Sequence, residues 1–243
     1  MKSNYDLRKE AREALKGKWS KAVLLTLIYL IIVGLASGYG MYNSLAMQDY
    51  IKDSAHTLTG MAGALQDPNF QAISHRANAS SGLGSLVQIF ILLPLLLGIS
   101  NAFLKLLVAG DDNLVSNAFH IGFKDGYWHK LGGMLWMGIL TFFWTLLLIV
   151  PGIIKAFSYS MTPYILAENP DLDIQGAIHR SRCMMAHHKL DLFILYLTFI
   201  GWFFLCLLTC GIGFLWLSPY VRTAQAGFYE EVKAEYALNG GLA

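Results

Sequence analysis

Long apolar stretches alternate with short polar ones along most of the chain. The first stretch, residues 1–21, differs because Leu7 and Leu15 recur at helical spacing and Gly17 provides a stop. The other face of this segment holds four cations: Arg8, Lys9, Arg12 and Lys16. The pattern predicts an amphipathic helix on an anionic membrane surface, with its leucines dipping into lipid and its cations facing lipid phosphates. A solvated helical leader is the alternative.

Residues 22–40 form the first apolar run, and its length suits the ~30 Å hydrocarbon core of a bilayer. A signal peptide would also follow a basic leader, but this run exceeds the usual h-region of about 7–15 residues, so we expect a retained anchor. Residues 41–82 are polar and predict an external loop. A second span is predicted over 83–109, with a kink at Pro94.

Two later stretches, 131–168 and 190–229, each predict a helical hairpin with a Gly- or Pro-containing turn. Pro151 and Gly152 are the predicted turn of the first hairpin, and Lys155 follows about one helical turn later, within reach of the same interface. Gly211 and Gly213 are the predicted turn of the second. "FFWTLLLIVPGII" resembles "FFLCLLTCGIGF", and each return helix carries a Pro-Tyr pair, so we hypothesise two related hairpins packed together.

The distribution of Lys and Arg predicts how the chain is oriented. Counted over these segments, 13 Lys and Arg fall on one side of the membrane and two on the other, while Lys105, Lys155 and Arg222 fall within spans. Because cytoplasmic segments are enriched in cations, this asymmetry predicts six spans with both termini in the cytoplasm. The predicted fold class is therefore an all-α polytopic helical membrane protein.

Composition supports lipid as the surrounding solvent. Hydrophobic residues make up 55% of the 243 residues, charged residues only 14%, and the mean hydropathy is +0.47. A formal net charge of +2 does not indicate a nucleic-acid surface. Cys183, Cys206 and Cys210 are an odd set in one part of the chain, so we expect free thiols rather than a disulfide framework or a metal site.

No catalytic motif is found: the sequence has no nucleophile elbow, Walker loop or zinc-protease helix. We therefore expect no enzyme activity, cofactor or metal. Arg222 lies within the last predicted span, where a charge facing lipid is costly, so it would contact a ligand, a lipid headgroup or carbonyls freed by Pro219, or would snorkel to the interface. With the hairpins side by side, the predicted binding residues for an anionic headgroup are Lys155, Tyr159, Tyr164, Tyr220 and Arg222.

Three ordered blocks carry a resemblance to a known family. "LRKEAREALKGKW", "LLLIVPGIIKAFSYSMTPYILAENP" and the segment beginning "SRCMMAHHKLDLFILYLTF" resemble a family of bacterial integral membrane proteins, the domain of unknown function 975. That family is similar to the membrane domain of some glycerophosphodiester phosphodiesterases. The resemblance implies the bacterial cytoplasmic membrane and a link to lipid metabolism, but no catalytic residue carries over.

Two functions remain open on the sequence alone. One is the binding or transport of a lipid or amphiphile in a cavity between the hairpins, with membrane lipids as partners. The other is a non-enzymatic membrane scaffold that contacts a partner protein through its N-terminal helix or external loop. An intramembrane enzyme is a third alternative, although Ser, His and Cys show no recognisable pairing. Within the predicted spans, Asp and Glu occur only near the ends, at Asp191 and Glu168, and this lack of a carboxylate deep in the membrane argues against a proton-coupled pump.

Overall fold

The structure, a computed structural model, describes residues 2–54, 67–75, 86, 88–124 and 126–238. No strand occurs among these residues, and most of them are helical, which confirms the predicted all-α class. They divide into two compact units, one formed by Met1–Leu27 with Leu93–Ala243 and the other by Ile28–Leu92.

The larger unit contains most of the helices. They are α1 (Asn4–Leu15), the beginning of α2 (Trp19–Ser54), α4 (Leu93–Ala109), α5 (Leu114–Phe123), α6 (Tyr127–Leu147), α7 (Ile149–Tyr159), α8 (Thr162–Glu168), α9 (Ile174–Met184), α10 (Lys189–Leu197), α11 (Ile200–Leu208) and α12 (Phe214–Leu238). Helix α4 packs against five other helices: α1, α5, α6, α8 and α12. This helix is the centre of the unit.

Glycines allow α5 to lie directly against α4. A Cβ added to Gly98 would lie 1.9 Å from the Ala118 carbonyl oxygen, and one added to Gly122 would lie 2.7 Å from the Pro94 carbonyl oxygen. No side chain fits at such distances, so the two backbones touch at both positions. The close packing explains why an apolar helix such as α4 is largely covered by protein rather than by lipid.

Helix α1 confirms the predicted N-terminal helix but corrects what its apolar face touches. Ser3 caps the helix by accepting a hydrogen bond from the Asp6 amide at 3.2 Å. Leu7, Ala11 and Leu15 are completely buried within the larger unit, where α1 packs against α4 and α12. The expectation that Leu7 and Leu15 dip into lipid was therefore wrong, because the protein itself covers them.

The first hairpin, formed by α6 and α7, turns at a different residue from the one predicted. Leu148 alone has extended backbone (φ −160°, ψ 137°) and separates the two helices, whereas Pro151 and Gly152 lie in the first turn of α7. Proline suits that position because first-turn amides have no partner within the helix. Gly152 has a packing role instead: a Cβ there would lie 2.6 Å from the Thr145 Cα.

The second hairpin, formed by α11 and α12, turns where the sequence predicted. Cys210 (φ 52°) and Gly211 (φ 87°) both adopt left-handed backbone, which reverses the chain. Gly213 again leaves room for a neighbour, because a Cβ there would lie 2.7 Å from the Cys206 sulfur. Both predicted glycines of this turn are thus required, for different physical reasons.

The smaller unit, Ile28–Leu92, covers the region predicted as the end of the first span and the external loop. Helix α2 continues to Ser54, beyond the predicted boundary at residue 40. A short helix α3 at 68–75 is capped by the preceding Asp67, whose carboxylate accepts from the Asn69 amide at 2.7 Å. Residues 55–66, 76–85 and 87 of the predicted loop and second span lie outside the described residues.

Three helical stretches among the described residues are long and apolar enough to cross a membrane: Ile89–Ala109, Tyr127–Leu147 and Lys189–Leu208. A fourth is obtained if α1 and Trp19–Leu35, which meet at an angle of 96°, are counted as one broken span. The first stretch begins with a π-helical turn, Gln88–Leu92, next to the predicted kink at Pro94. These stretches are consistent with a membrane protein.

Candidate functional site

An apolar groove of about 480 Å³ opens between the N-terminal corner of the chain and the second hairpin, all within the larger unit. Apolar and aromatic side chains make up most of its wall, with one cation. The residues that line it are Arg12, Trp19, Trp202, Leu205, Cys206, Thr209, Gly213, Trp216, Leu217 and Tyr220. A groove of this composition suits an amphiphile better than a polar metabolite.

The N-terminal corner positions the polar end of the groove. Helix α1 ends at Leu15, Gly17 has left-handed backbone (φ +76°), and α2 starts at Trp19 in a new direction. Burial of the Leu7–Leu15 face fixes the rotation of α1 about its axis, which directs Arg12 towards the groove. Trp19 then follows on the far side of the corner and contributes an aromatic wall.

The second hairpin supplies the apolar wall from its two antiparallel legs. Trp202 and Leu205 come from α11, whereas Trp216 and Leu217 come from α12. Trp202 and Trp216 are each about half exposed (51% and 50%), so indole surface is available to a bound molecule. The close approach of Gly213 to Cys206 brings the two legs together beside the groove.

Arg12 is the charged residue of the groove, and Tyr220 is its polar neighbour. The buried Tyr220 hydroxyl donates to the Arg8 carbonyl at 3.3 Å, and its ring packs edge-on against Phe199 at 5.0 Å. The same hydroxyl oxygen raises the pKa of the Arg12 guanidinium further above its already high value. A permanent positive charge therefore stands at one end of an otherwise apolar groove.

The other membrane-surface cations have different environments. Arg8 donates to the Thr198 carbonyl at 3.1 Å, at the break between α10 and α11, and its guanidinium lies 6.0 Å from the centre of the Phe199 ring. Lys9 and Lys16 are exposed on α1. The predicted cationic face thus divides into one residue that binds the hairpin, one that lines the groove and two that face outward.

Of the five residues predicted to bind a headgroup, Tyr220 lines the groove and the other four lie elsewhere. Lys155 places its ammonium 4.6 Å from the centre of the Trp144 ring within the first hairpin. Tyr159 and Tyr164 are buried, and Tyr164 stacks on Tyr229 at 4.9 Å. Arg222 is half-buried, close enough to Tyr164 to interact with it electrostatically. A role for Lys155 or Arg222 in lipid binding stays a prediction.

Trp19, Trp202 and Trp216 are site residues that sequence reasoning missed. Tryptophan is enriched where membranes meet water, so each was visible as an interfacial residue. Nothing in the sequence brings the three together, because Trp19 is separated from Trp202 by most of the chain.

Within the described residues, no group of three His, Cys, Asp or Glu side chains is arranged to hold a metal ion.

Comparison with known proteins identifies the family of the chain but not its activity. No curated protein matches the sequence, and no solved structure matches either. The expected similarity to the membrane domain of glycerophosphodiester phosphodiesterases therefore stays a prediction. Residues 1–158 and 134–236 both match one family, described as a protein of unknown function. These matches cover nearly the whole chain, and the protein belongs to the DUF975 family.

Proposed function

We propose that the chain is an integral protein of the bacterial cytoplasmic membrane that binds one anionic lipid or similar amphiphile in the groove between α1 and the second hairpin. The observation that carries the proposal is a cation, Arg12, at the end of an apolar groove of about 480 Å³. An anionic headgroup would pair with Arg12 while an acyl chain lies between Trp202 and Trp216.

The position of Arg12 agrees with a ligand drawn from the surrounding membrane. The predicted topology places both termini in the cytoplasm, which puts Arg12 at the inner leaflet. The groove is also open along the second hairpin, whose apolar side chains are exposed. A lipid would therefore enter sideways from that leaflet without leaving hydrocarbon.

We propose binding rather than catalysis. The described lining residues include no His, Asp or Glu, and the thiol of Cys206 is buried against Gly213. Without a general base beside a nucleophile, the groove has the parts needed to hold a molecule but not to transform it. Transport remains compatible with this proposal because transport also starts from a binding site.

Native mass spectrometry of the full chain, released from its membrane in mild detergent, tests the proposal. We expect the wild type to retain an anionic lipid. In Arg12→Gln the fraction of protein with bound lipid should be lower by at least about tenfold, because a charge-assisted contact is removed. Lys9→Gln is the matched control, since Lys9 is a cation of the same helix that faces away from the groove. Lys9→Gln should bind like the wild type.

Two results would contradict the proposal. Equal lipid retention by Arg12→Gln and the wild type would remove the assigned role of the guanidinium. Copurification of another polypeptide, with no retained lipid and no dependence on Arg12, would favour the membrane scaffold instead.

A further inference from the structure

The end of the second hairpin carries no charge and a largely apolar surface. No charged residue occurs between Asp191 and Arg222, and most exposed side chains of this segment are large and apolar. They include Ile200, Trp202, Phe203, Phe204, Leu205, Leu207, Leu208, Ile212 and Trp216. A surface of this kind is not stable in water, so the end of the hairpin requires hydrocarbon around it.

The backbone of the turn is suited to hydrocarbon as well. Every amide from Thr209 to Leu217 donates a hydrogen bond within the hairpin, mostly to carbonyls three to five residues earlier. The Gly213 amide differs from the others because its acceptor is a side chain, the Thr209 hydroxyl at 3.2 Å. That hydroxyl in turn donates to the Cys206 carbonyl at 2.9 Å. A turn exposed to water does not need every amide to be paired internally, whereas a turn in lipid does.

Helix α1 fixes the level at which polar surroundings begin. Its Arg8 side chain donates to the Thr198 carbonyl, and its Arg8 carbonyl accepts from Tyr220, so α1 touches both legs of the hairpin at one level. The outer face of α1 is mostly charged, and its residues include Asp6, Lys9, Glu10 and Glu13, with Lys2 just before the helix. Because such a face cannot lie in hydrocarbon, Thr198 and Tyr220 are at the level of water or lipid headgroups.

Only half of the apolar stretch remains beyond that level. Thr198 is midway along Lys189–Leu208, the 20-residue stretch that is long enough to span a bilayer. The part beyond it, α11, has 9 residues. At about 1.5 Å per residue, α11 reaches about 14 Å, roughly half of the ~30 Å hydrocarbon core.

We infer that the second hairpin is re-entrant: α11 and the start of α12 insert into one leaflet, acyl chains cover them, and the Cys210–Gly211 turn lies near the middle of the bilayer. Both legs then leave on the side from which they entered. The Lys and Arg count is the same for a re-entrant and a spanning hairpin, so it does not test the two crossings that the apolar runs predicted here. This inference depends on membrane insertion and not on occupancy of the groove.

Cys210 is a native reporter of depth at the turn. It is exposed, whereas Cys206 is buried and Cys183 is partly buried. In a Cys183→Ser, Cys206→Ala background, a fluorophore on Cys210 would be followed in phosphatidylethanolamine–phosphatidylglycerol vesicles that contain doxyl-labelled lipids. We expect the strongest quenching from a doxyl group near the end of the acyl chain. Lys9→Cys in a background that also lacks Cys210 is the control, and we expect it to be quenched most by a doxyl group on the headgroup.

A second measurement uses a membrane-impermeant maleimide on spheroplasts and on inside-out vesicles. We expect Cys210 to react from neither side and to react fully after denaturation in SDS. Reaction from the outside, or strongest quenching by headgroup probes, would show that the turn emerges at a surface and would overturn the inference. Leu208→Cys, one of the most exposed positions of α11, replaces Cys210 as the labelled site if the fluorophore disturbs the turn.

Discussion

Gly152 and Gly213 act in the two hairpins through the space that they leave. Neither has left-handed backbone, yet each approaches a residue seven positions earlier, Thr145 and Cys206, too closely for a Cβ. The sequence showed glycine at both turns but not which glycine bends the chain and which one packs. That distinction depends on the neighbouring leg, which local sequence does not specify.

Gly213→Ala should destabilise the second hairpin by about 1–3 kcal/mol, because the new methyl group would overlap the Cys206 sulfur and lie 3.0 Å from its Cα. Gly201→Ala is the matched control, since a Cβ at Gly201 meets nothing within 4 Å. Alanine there should be neutral or stabilising by up to about 1 kcal/mol. Thermal unfolding followed by circular dichroism in detergent compares them, and equal midpoints would contradict the close packing.

Charged residues were located by the sequence, but their contacts were not. Lys130 entered the charge count as a cytoplasmic cation, whereas its ammonium is buried and donates to the Ile121 carbonyl at 2.7 Å. Arg12 was predicted to face lipid phosphates; the structure places it at the end of the groove, and its contact with a phosphate stays a prediction. Both assignments depend on carbonyls or side chains from other helices, and a hydropathy pattern contains no information about those partners.

At the scale of elements, α1 shows what periodicity can and cannot establish. The spacing of Leu7 and Leu15 correctly predicted an amphipathic helix ending near Gly17. Periodicity does not distinguish an apolar face that packs on protein from one that lies on lipid, because both are stripes of the same residues. Contact with α4 and α12 decides the matter.

Leu7→Ala should therefore cost about 2–5 kcal/mol of folding stability, the usual range for truncating a fully buried leucine. A leucine that merely dipped into lipid would change membrane affinity and leave the folded state nearly unaffected. Lys9→Ala, on the exposed face of the same helix, should stay within about 0.5 kcal/mol of the wild type. Denaturant or thermal unfolding in detergent separates the two variants, and equal stability would restore the lipid-facing interpretation.

The two hairpins share more than a similar sequence. Tyr159 and Tyr220 each follow the close-packed glycine of their hairpin by seven residues, and both are buried. This alignment pairs Tyr220 with Tyr159, not with Tyr164 of the other Pro-Tyr pair. The common spacing supports the hypothesis of related hairpins and gives it a register that the sequence comparison lacked.

At the scale of the whole molecule, the apolar runs predicted the all-helical class that the structure confirms, but the number of membrane crossings does not follow from them. Apolar length gives three candidate spans among the described residues, or four with the bent pair. Mean hydropathy does not distinguish the two halves of Lys189–Leu208, although the charged helix α1 contacts the middle of this stretch through Arg8 and Thr198. The depth of a segment is thus set by its neighbours as well as by its own residues.

The stability of the folded chain should also depend on pH through the connection between α4 and α5. The Asn113 amide, bonded to the Asp111 carboxylate at 3.0 Å, is the main cause that lowers the pKa of Asp111. A hydrogen bond and ion pair with Lys21 lower the pKa of Asp112 in the same way. Both carboxylates are thus held in their ionised form by folding.

A lowered folded-state pKa means that the folded chain binds these protons less readily than the unfolded chain. Their stabilising contribution is therefore complete above the ordinary aspartate pKa of about 4 and is lost as pH falls below it. We therefore expect these two groups to leave the unfolding midpoint in detergent unchanged between about pH 5 and 7. Below that range the midpoint should fall as the pH approaches about 3. Asp112→Asn removes one of the two groups, so its midpoint should fall less steeply; a slope equal to that of the wild type would show that the Lys21 pair does not contribute.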